Sequence, residues 1–365
     1  MITKEVVLAA LSHVQEPDLG KDLVTLNMIQ DVQVDGNKVS FTVELTTPAC
    51  PLKDLIERAC INAIKHFIGT EVQVTVTLTA RTTTARKDSG AVMSGVKNII
   101  AVMSGKGGVG KSTVAVNLAL GLQQSGATVG LLDADIHGPS LPLMLGARDV
   151  KPMMREVDGK GKIVPIERFG LKAMSIGLLV EEGQAVIWRG PQASAALKQF
   201  INDVDWGELD YLVIDMPPGT GDVHLTLVQT VPVTGAVVVS TPQPVAVADA
   251  RKAIAMLRTP QIAVPVLGVV ENMAYFTPAD LPDARYYIFG QGGAEAMAEE
   301  YNVPFLGAVP IVQSIREGGD EGVPAMMGDE PVSRAAFEEV AANVARAVSI
   351  RNATGAATRV VQMAS

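Results

Sequence analysis

A glycine-rich loop between an apolar segment and a helical segment is the feature that most constrains the fold of this chain. Its residues are Gly105, Lys106, Gly107, Gly108, Val109, Gly110, Lys111, Ser112 and Thr113. The apolar run 99–103 before the loop predicts a buried strand, and the run 114–120 after it predicts the start of a helix. This order is typical of a P-loop, in which backbone N–H groups surround phosphate oxygens. The alternative, a glycine turn that only packs a helix on a sheet, does not account for the lysine and the serine at these spacings.

Lys111 and Ser112 stand at the two positions of the loop where nucleotide chemistry needs a cation and a hydroxyl. We expect the Lys111 side chain to reach the β- and γ-phosphates and the Ser112 hydroxyl to bind Mg²⁺. The N-terminus of the following helix adds a partial positive charge that favours phosphate. The loop therefore predicts a site for a nucleotide and its Mg²⁺ ion.

The pattern around the loop predicts a doubly wound, mostly parallel α/β sheet for residues 98–350, because strands and helices alternate along this part of the chain. Strands are predicted at 99–103, 128–133, 171–175, 211–215, 235–240, 264–271 and 303–309. Residues 1–80 predict a small α+β domain with the order helix, strand, strand, helix, strand. Residues 81–97 are small and polar, which indicates a linker, and residues 351–365 are predicted to be a disordered tail.

Composition excludes several classes of protein. The net charge of −9 argues against a broad nucleic-acid surface, and we expect no nucleic-acid partner. No apolar run is long enough to span a membrane and the N-terminus lacks a signal-peptide pattern, so we expect a cytoplasmic protein without a membrane partner. The chain has only two cysteines, Cys50 and Cys60, which do not indicate a disulfide framework.

Acidic residues follow two of the predicted strands, at the edge where open α/β sheets bind ligands. Asp133 and Asp135 end the apolar run 129–132, and Asp133 is a candidate to help anchor Mg²⁺ through water. The alternative is that these acids cap the segment that follows. Asp215 ends the apolar run 211–214, as a Walker B acid does, and is predicted to be an outer-shell ligand of Mg²⁺.

The second position of the loop is Lys106, and the pattern Gly-Lys-Gly-Gly-Val-Gly-Lys-Ser-Thr resembles that of the deviant Walker A ATPases. The resemblance implies that Lys106 contacts phosphate across a nucleotide-sandwich homodimer; the alternative is an ordinary surface lysine. The segment after Asp135 resembles switch I of this group, which implies that Asp135 orients the attacking water. Residues 216–222 resemble switch II, in which the N–H of Gly219 senses the γ-phosphate.

Asn272 follows the apolar run 264–270 and is predicted to recognise the nucleotide base. An amide can donate and accept hydrogen bonds on the edge of adenine, and related ATPases use the matching asparagine for the base. The alternative is a turn-forming asparagine at the end of a strand. An Asn-Lys-x-Asp context, which guanine recognition requires, is absent from the chain, so ATP is favoured over GTP.

The combination of motifs resembles the Mrp/ApbC family of iron–sulfur cluster carrier ATPases. The motifs are Thr-Thr-Pro-Ala-Cys-Pro at 46–51, Ile-Trp-Arg-Gly-Pro at 187–191, Glu-Asn-Met at 271–273 and Ile-Phe-Gly-Gln-Gly-Gly at 288–293. The resemblance implies a homodimeric ATPase that delivers clusters to apo iron–sulfur client proteins. It also implies a [4Fe–4S] cluster between the subunits, held by a Cys-x-x-Cys pair from each.

The chain departs from the family at that cluster site, because the interval 274–287 contains neither cysteine nor histidine. Asp280 and Asp283 keep a similar spacing, but carboxylates are poor replacements for thiolates on iron–sulfur iron. Cys50 precedes a predicted helix that begins near residue 52, where a thiol has a lowered pKa, and the family has a cysteine at this position. We predict that Cys50 contacts iron–sulfur; the alternative is an inert residue. Cys60 is predicted to lie in the core.

Two other functions compete with the carrier hypothesis. The missing thiols at 274–287 also fit an adaptor that binds nucleotide and docks clients without a cluster. A partition-type localisation switch would need a basic surface or an amphipathic C-terminal helix, and residues 335–365 indicate neither.

Overall fold

The structure is a computed structural model with two compact units. It describes residues 2–86, 92–136, 138–157, 159–179, 190–278, 281, 284–358 and 360. One unit contains residues up to 83 together with 349–355, and the other contains residues 84–348 together with those from 356 onward. Residues 187–189 of the motif Ile-Trp-Arg-Gly-Pro lie outside the described residues, and so do Asp280 and Asp283.

The first unit is a small α+β fold. Its elements are α1 (Lys4–Leu11), β1 (Gln15–Glu16), β2 (Lys21–Asp22), β3 (Ile29–Asp35), β4 (Lys38–Leu45), α2 (Lys53–Phe67) and β5 (Gln73–Ala80). The larger sheet has the order β3-β4-β5, in which β3 and β4 pair antiparallel and β4 and β5 pair parallel. The antiparallel pair is the hairpin that the Asp-Gly-Asn turn at 35–37 predicts.

The core of the first unit lies between its sheet and its helices. β4 alternates buried and partly exposed residues, so that Phe41 and Val43 point to the same buried face. α2 contributes Ile56, Cys60 and Ile64, which recur at helical spacing and are almost completely buried. Cys60 therefore lies in the core, as predicted.

The second unit is built on eight strands with helices between them. Its strands are β6 (Val96–Met103), β7 (Val129–Asp133), β8 (Met153–Val157), β9 (Lys160–Val164), β10 (Ile166–Arg168), β11 (Leu171–Ser175), β12 (Leu209–Asp215), β13 (Gly235–Ser240), β14 (Val266–Phe276) and β15 (Phe305–Ile311), of which β8 and β9 form a separate hairpin. Its helices are α3 (Lys111–Gln124), α4 (Leu141–Met144), α5 (Gly190–Asp203), α6 (Asp222–Thr230), α7 (Pro244–Leu257), α8 (Gly293–Glu300), α9 (Gln313–Glu321) and α10 (Pro331–Thr354), with single 3₁₀ turns at Ile176–Leu178 and Ala325–Met327.

The strand order of the large sheet places a ligand site at the end of β6. The order is β10-β11-β7-β12-β6-β13-β14-β15, and every neighbouring pair is parallel except β10 with β11. The chain leaves β6 to one side and later returns to its other side at β13, so β6 is the topological switch point. Ligands bind outside the carboxyl ends of strands at such a point. The predicted doubly wound, mostly parallel fold is confirmed.

Three expectations from the sequence need correction. The hairpin β8–β9 and the antiparallel edge strand β10 occupy a stretch for which no strand was predicted. β14 runs on to Phe276, five residues past the predicted end at 271, and it pairs with β15 again at Phe276 after a shift of register that is typical of a bulge. The disordered tail is wrong for residues 351–354, which form the last turn of α10. The helix continues to residue 354 because Gly355 is the first helix-breaking residue of that segment. The N–H of Gly355 donates to the carbonyl of Arg351 at 2.8 Å.

None of the helices that the structure describes is long and apolar enough to cross a membrane.

Candidate nucleotide site

The glycine-rich loop joins the carboxyl end of β6 to α3, as the sequence predicts. Gly108 and Gly110 both have a φ of 79°, a left-handed conformation that side chains with a Cβ rarely adopt. Gly105 lies against α7, where a Cβ would come within 2.1 Å of the Asp249 carbonyl carbon. Gly110 is the N-cap of α3 and no side chain among the described residues caps this helix end. The first N–H groups of α3 are therefore left for a bound anion.

The cation, the hydroxyl and the acid predicted to bind a nucleotide and its metal meet at this loop. The Lys111 ammonium forms an ion pair with the carboxylate of Asp215 at the end of β12, and both side chains are buried. The Nζ of Lys111 also lies 3.3 Å from the hydroxyl of Ser112. Burial raises the pKa of Asp215, while Lys111 and then Ser112 act to lower it. Parallel strands β6 and β12 are neighbours, which is why residues over a hundred positions apart come together.

Asp133 is completely buried and caps the segment that follows β7. Its Oδ1 accepts a hydrogen bond from the N–H of Asp135 at 3.0 Å, and its Oδ2 accepts from the N–H of Leu141 at 3.3 Å and from the hydroxyl of Ser175 at 3.0 Å. Burial, reinforced by the charge of Asp215, raises the pKa of Asp133 to about 7. These contacts are the capping alternative of the sequence analysis, and the Mg²⁺ role of Asp133 stays a prediction. Ser175, which shares this network, was missed, and no pattern in the sequence marks it.

Asp135 and Gly219 lie in the two predicted switch segments beside the loop. Asp135 is half-buried, and its negative charge contributes to the raised pKa of Asp215. Gly219 has a φ of 90°, and its N–H donates to the carbonyl of Ser104 at the end of β6 at 2.9 Å. The Gly219 N–H must therefore leave Ser104 before it can reach a phosphate. Both predicted roles, water orientation and phosphate sensing, stay predictions.

Lys106 is half-buried at the second position of the loop. Its carbonyl accepts a hydrogen bond from the hydroxyl of Ser104 at 2.9 Å, which fixes the backbone at the start of the loop. Its predicted contact with phosphate in a second subunit stays a prediction.

Asn272 lies inside β14 and contacts the glycine-rich loop directly. Its side chain is 5% exposed, and its Nδ2 donates to the carbonyl of Val109 at 2.9 Å. The alternative of a turn-forming asparagine at the end of a strand is wrong, because β14 continues for four further residues. The loop uses one of the two N–H donors of the amide nitrogen, so a contact with adenine would use the second N–H or the carboxamide oxygen. The base-recognition role of Asn272 stays a prediction.

The thiols of the first unit differ in burial. Cys50 is half-buried in the turn before α2, whereas Cys60 is fully buried. Burial, followed by the nearby charge of Glu57, raises the pKa of Cys60 to about 12, so this thiol stays protonated. Among the described residues, no three His, Cys, Asp or Glu side chains are placed to hold a metal ion. The iron–sulfur role of Cys50 stays a prediction.

An antiparallel bridge joins Phe276 and Tyr286 within the interval where the family resemblance implies a cluster. The backbones of Phe276 and Tyr286 exchange two hydrogen bonds, of 2.9 and 2.8 Å. The guanidinium carbon of Arg285 lies 4.4 Å from the centre of the Tyr275 ring, a cation–π contact.

Comparisons with known proteins agree with this geometry. A model of the NUBPL iron-transfer P-loop NTPase family matches residues 95–345, and a model described as iron–sulfur cluster assembly protein matches residues 4–78. The chain is 50% identical to an iron–sulfur cluster carrier protein of Synechocystis, over 96% of this chain and 99% of that one. It is 46% identical to the protein of the same name from Deinococcus radiodurans, over 95% and 96% of the two chains.

A solved structure shares the nucleotide-binding part. It is a nucleotide-binding protein from Archaeoglobus fulgidus in complex with ADP, 40% identical, with a TM-score of 0.56 over 66% of this chain and 92% of that one. The match of the family model over most of the chain and the relatives of 46–50% identity confirm the membership that the Mrp/ApbC motifs predict. This chain therefore belongs to the NUBPL-type iron-transfer P-loop NTPases, and carries in addition an N-terminal iron–sulfur cluster assembly domain.

Proposed function

We propose that this chain is a Mg²⁺-dependent ATPase that acts as a homodimer and carries iron–sulfur clusters to apo client proteins. The observation that carries the ATPase part is the convergence of Lys111, Ser112 and Asp215 at the carboxyl ends of β6 and β12. The carrier part is supported by the names of the relatives that match nearly the whole chain.

The residues at the loop fit a magnesium ion. Mg²⁺ prefers oxygen ligands and keeps several waters, and the Ser112 hydroxyl and the Asp215 carboxylate both lie against the Lys111 ammonium. Ser112 would hold the ion directly and Asp215 through water, and the ion would neutralise charge on the phosphates. Because Lys111 is paired with Asp215 in this structure, Lys111 exchanges the carboxylate for phosphate when a nucleotide binds.

Two residues complete the proposed hydrolysis site. Asp135 orients the attacking water, which its position beside the Asp215 carboxylate supports. Lys106 contacts the phosphates bound by the partner subunit, so that each site of the homodimer needs both chains.

Mixed dimers test the assignment of Lys106 and Asp135. Lys106→Ala and Asp135→Ala should each abolish ATP hydrolysis alone, whereas an equimolar mixture, allowed to exchange subunits, should recover activity. Half of the dimers would then contain one subunit of each variant, and each such dimer would have one intact site of its two. The mixture should therefore give about a quarter of the wild-type phosphate release. If Lys106 served its own subunit, the mixture would remain inactive.

The cluster is the cargo in this proposal, and Cys50 is the residue assigned to contact it. The interval 274–287 has no thiol, and Cys60 is buried and protonated, so Cys50 is the cysteine left to meet iron. A homodimer would supply two such thiols, and a client or a small thiol would complete the ligand set.

Anaerobic reconstitution with iron and sulfide tests the carrier function. Wild-type protein should gain the absorbance and the iron content of a cluster, Cys50→Ala should not, and the matched control Cys60→Ala should behave as wild type. A cluster that persists in Cys50→Ala would contradict the assignment of this thiol.

The second candidate function is an adaptor that binds nucleotide and docks clients without a cluster. It is favoured by the lack of thiols at 274–287 and of a metal-binding group among the described residues. The outcome that supports it is ATP binding without any cluster in the wild type.

A further inference from the structure

A bulge in β14 lies next to the glycine-rich loop. The register between β14 and β15 shifts between Asn272 and Phe276. Within the shift, Met273 has a φ of 55°, a left-handed conformation that residues other than glycine seldom adopt. Bulges redirect side chains beside active sites, and strained residues persist only where the surrounding structure requires them. The strained residue thus follows Asn272 directly, where the regular pairing of β14 with β15 ends.

The Asn272 side chain contacts the backbone of the loop. Its Nδ2 donates to the carbonyl of Val109 at 2.9 Å, and the contact is buried. A Cβ on Gly110 would come within 2.1 Å of the same nitrogen. The loop backbone thus lies directly on the amide of Asn272, and only a glycine at position 110 permits this approach.

This hydrogen bond fixes the orientation of one peptide group. In a trans peptide the C=O and the N–H point in opposite directions. Because the Val109 carbonyl points to Asn272, the N–H of Gly110 in the same peptide points away from Asn272. In a P-loop the phosphates are bound by backbone N–H groups of the loop, so a peptide held in one orientation is prepared for the anion.

The preceding residue, Glu271, has a different partner. Adjacent residues of a strand point to opposite faces of the sheet. The Oε2 of Glu271 accepts a hydrogen bond from the N–H of Ala294 at the start of α8, at 2.8 Å. Glu271→Gln keeps an acceptor there, so this variant perturbs β14 without touching the loop. It is the matched control for a change at Asn272.

We propose that Asn272 is a positioning residue for phosphate, which holds the Val109–Gly110 peptide so that the Gly110 N–H is oriented before a nucleotide arrives. The proposal rests on the proposed function only in that the loop binds phosphate. It differs from base recognition in which ligands should bind more weakly when Asn272 is replaced. Loss of a positioning residue for phosphate weakens the binding of the phosphates whether or not a base is attached.

Calorimetric titration with ADP and with inorganic tripolyphosphate tests the proposal on wild type, Asn272→Leu and Glu271→Gln. Asn272→Leu keeps the approximate volume of the side chain and removes the donor. Loss of one buried hydrogen bond should weaken binding about tenfold for both ligands. Glu271→Gln should bind both as wild type does. Unliganded Asn272→Leu should keep the circular dichroism spectrum of wild type, although the unpaired Val109 carbonyl lowers its melting temperature.

Each other outcome overturns the proposal. A loss for ADP alone would make Asn272 a base contact, and unchanged binding of both ligands would leave Asn272 without a role in binding. If Asn272→Leu does not fold, Asn272→Ser, which is too short to reach Val109 and admits water, gives the same comparison. Wild-type protein that binds neither ligand would instead refute the proposed function, so the two failures are distinguishable.

Discussion

The nucleotide site and the surroundings of Cys50 were both predicted from short motifs, but they differ in how many of the expected groups the structure brings together. At the nucleotide site, β6 and β12 bring Lys111, Ser112 and Asp215 into contact. Around Cys50, the described residues contain no group of three or more His, Cys, Asp or Glu side chains that could hold a metal ion. A motif therefore predicts chemistry best when the fold itself must bring its parts together. The fold brings no such partners to a single thiol, which needs ligands from another molecule to form a metal site.

The largest expected effect is a loss of stability in the first unit, which contains both cysteines. Phe41 is 2% exposed in the core of the first unit, which also contains Cys60. Phe41→Ala should lower the free energy of unfolding of this unit by about 3–5 kcal/mol, because it removes a large buried side chain and leaves a cavity. Urea denaturation followed by circular dichroism measures the loss. Unchanged stability would show that this core does not hold the first unit together.

The next largest effect is the difference in reactivity between the two thiols. A pKa of about 12 in place of the ordinary 9.0 leaves Cys60 with about a thousandfold less thiolate near neutral pH. The native protein should therefore react with a thiol reagent at Cys50 alone, and at both cysteines in urea. Mass spectrometry of the labelled protein locates the label. Equal labelling of both thiols in the native state would contradict the burial of Cys60.

At the nucleotide site, Lys111→Ala should reduce ATP turnover about a hundredfold to a thousandfold, as loss of a preorganised charge at developing negative charge does. Phosphate release at saturating ATP, with circular dichroism as the check on folding, measures this effect. Turnover within a few fold of wild type would refute the assignment of Lys111 to the phosphates.

The smallest effect belongs to the matched control at the opposite end of the same sheet. Lys97 pairs with Asp210 at 2.8 Å near the amino ends of β6 and β12, and the Lys97 side chain is 39% exposed. Lys97→Ala should cost about 0.2–1 kcal/mol of stability, because water screens an exposed pair, and should leave turnover unchanged. A large loss of turnover here would mean that the Lys111 result reports general damage to β6.

The sequence predicted what depends on local pattern. The loop 105–113, its flanking strand and helix, and the acids at the carboxyl ends of β7 and β12 are each specified within a few residues. The capping role of Asp133 was open, because its partners Leu141 and Ser175 come from separate segments that only folding brings together.

Asn272 shows the same limit more sharply. Its position after an apolar run was evident, but its contact with Val109 joins β14 to a loop 163 positions earlier, which no local pattern specifies. The end of α10 could have been found, since Gly355 is a recognisable stop and residues 351–354 contain no helix breaker.

The ion pair between Lys111 and Asp215 has a consequence for a protein whose proposed cargo is iron. Asp133 and Asp215 lie close enough for their charges to interact, and two neighbouring carboxylates attract divalent cations. While the lysine is bound to Asp215, an incoming ion must compete with a positive charge that is already in place. If a nucleotide binds as proposed, its phosphates would give Lys111 another anion and free the carboxylate at the same moment. The resting site would then exclude stray iron and admit metal together with its nucleotide.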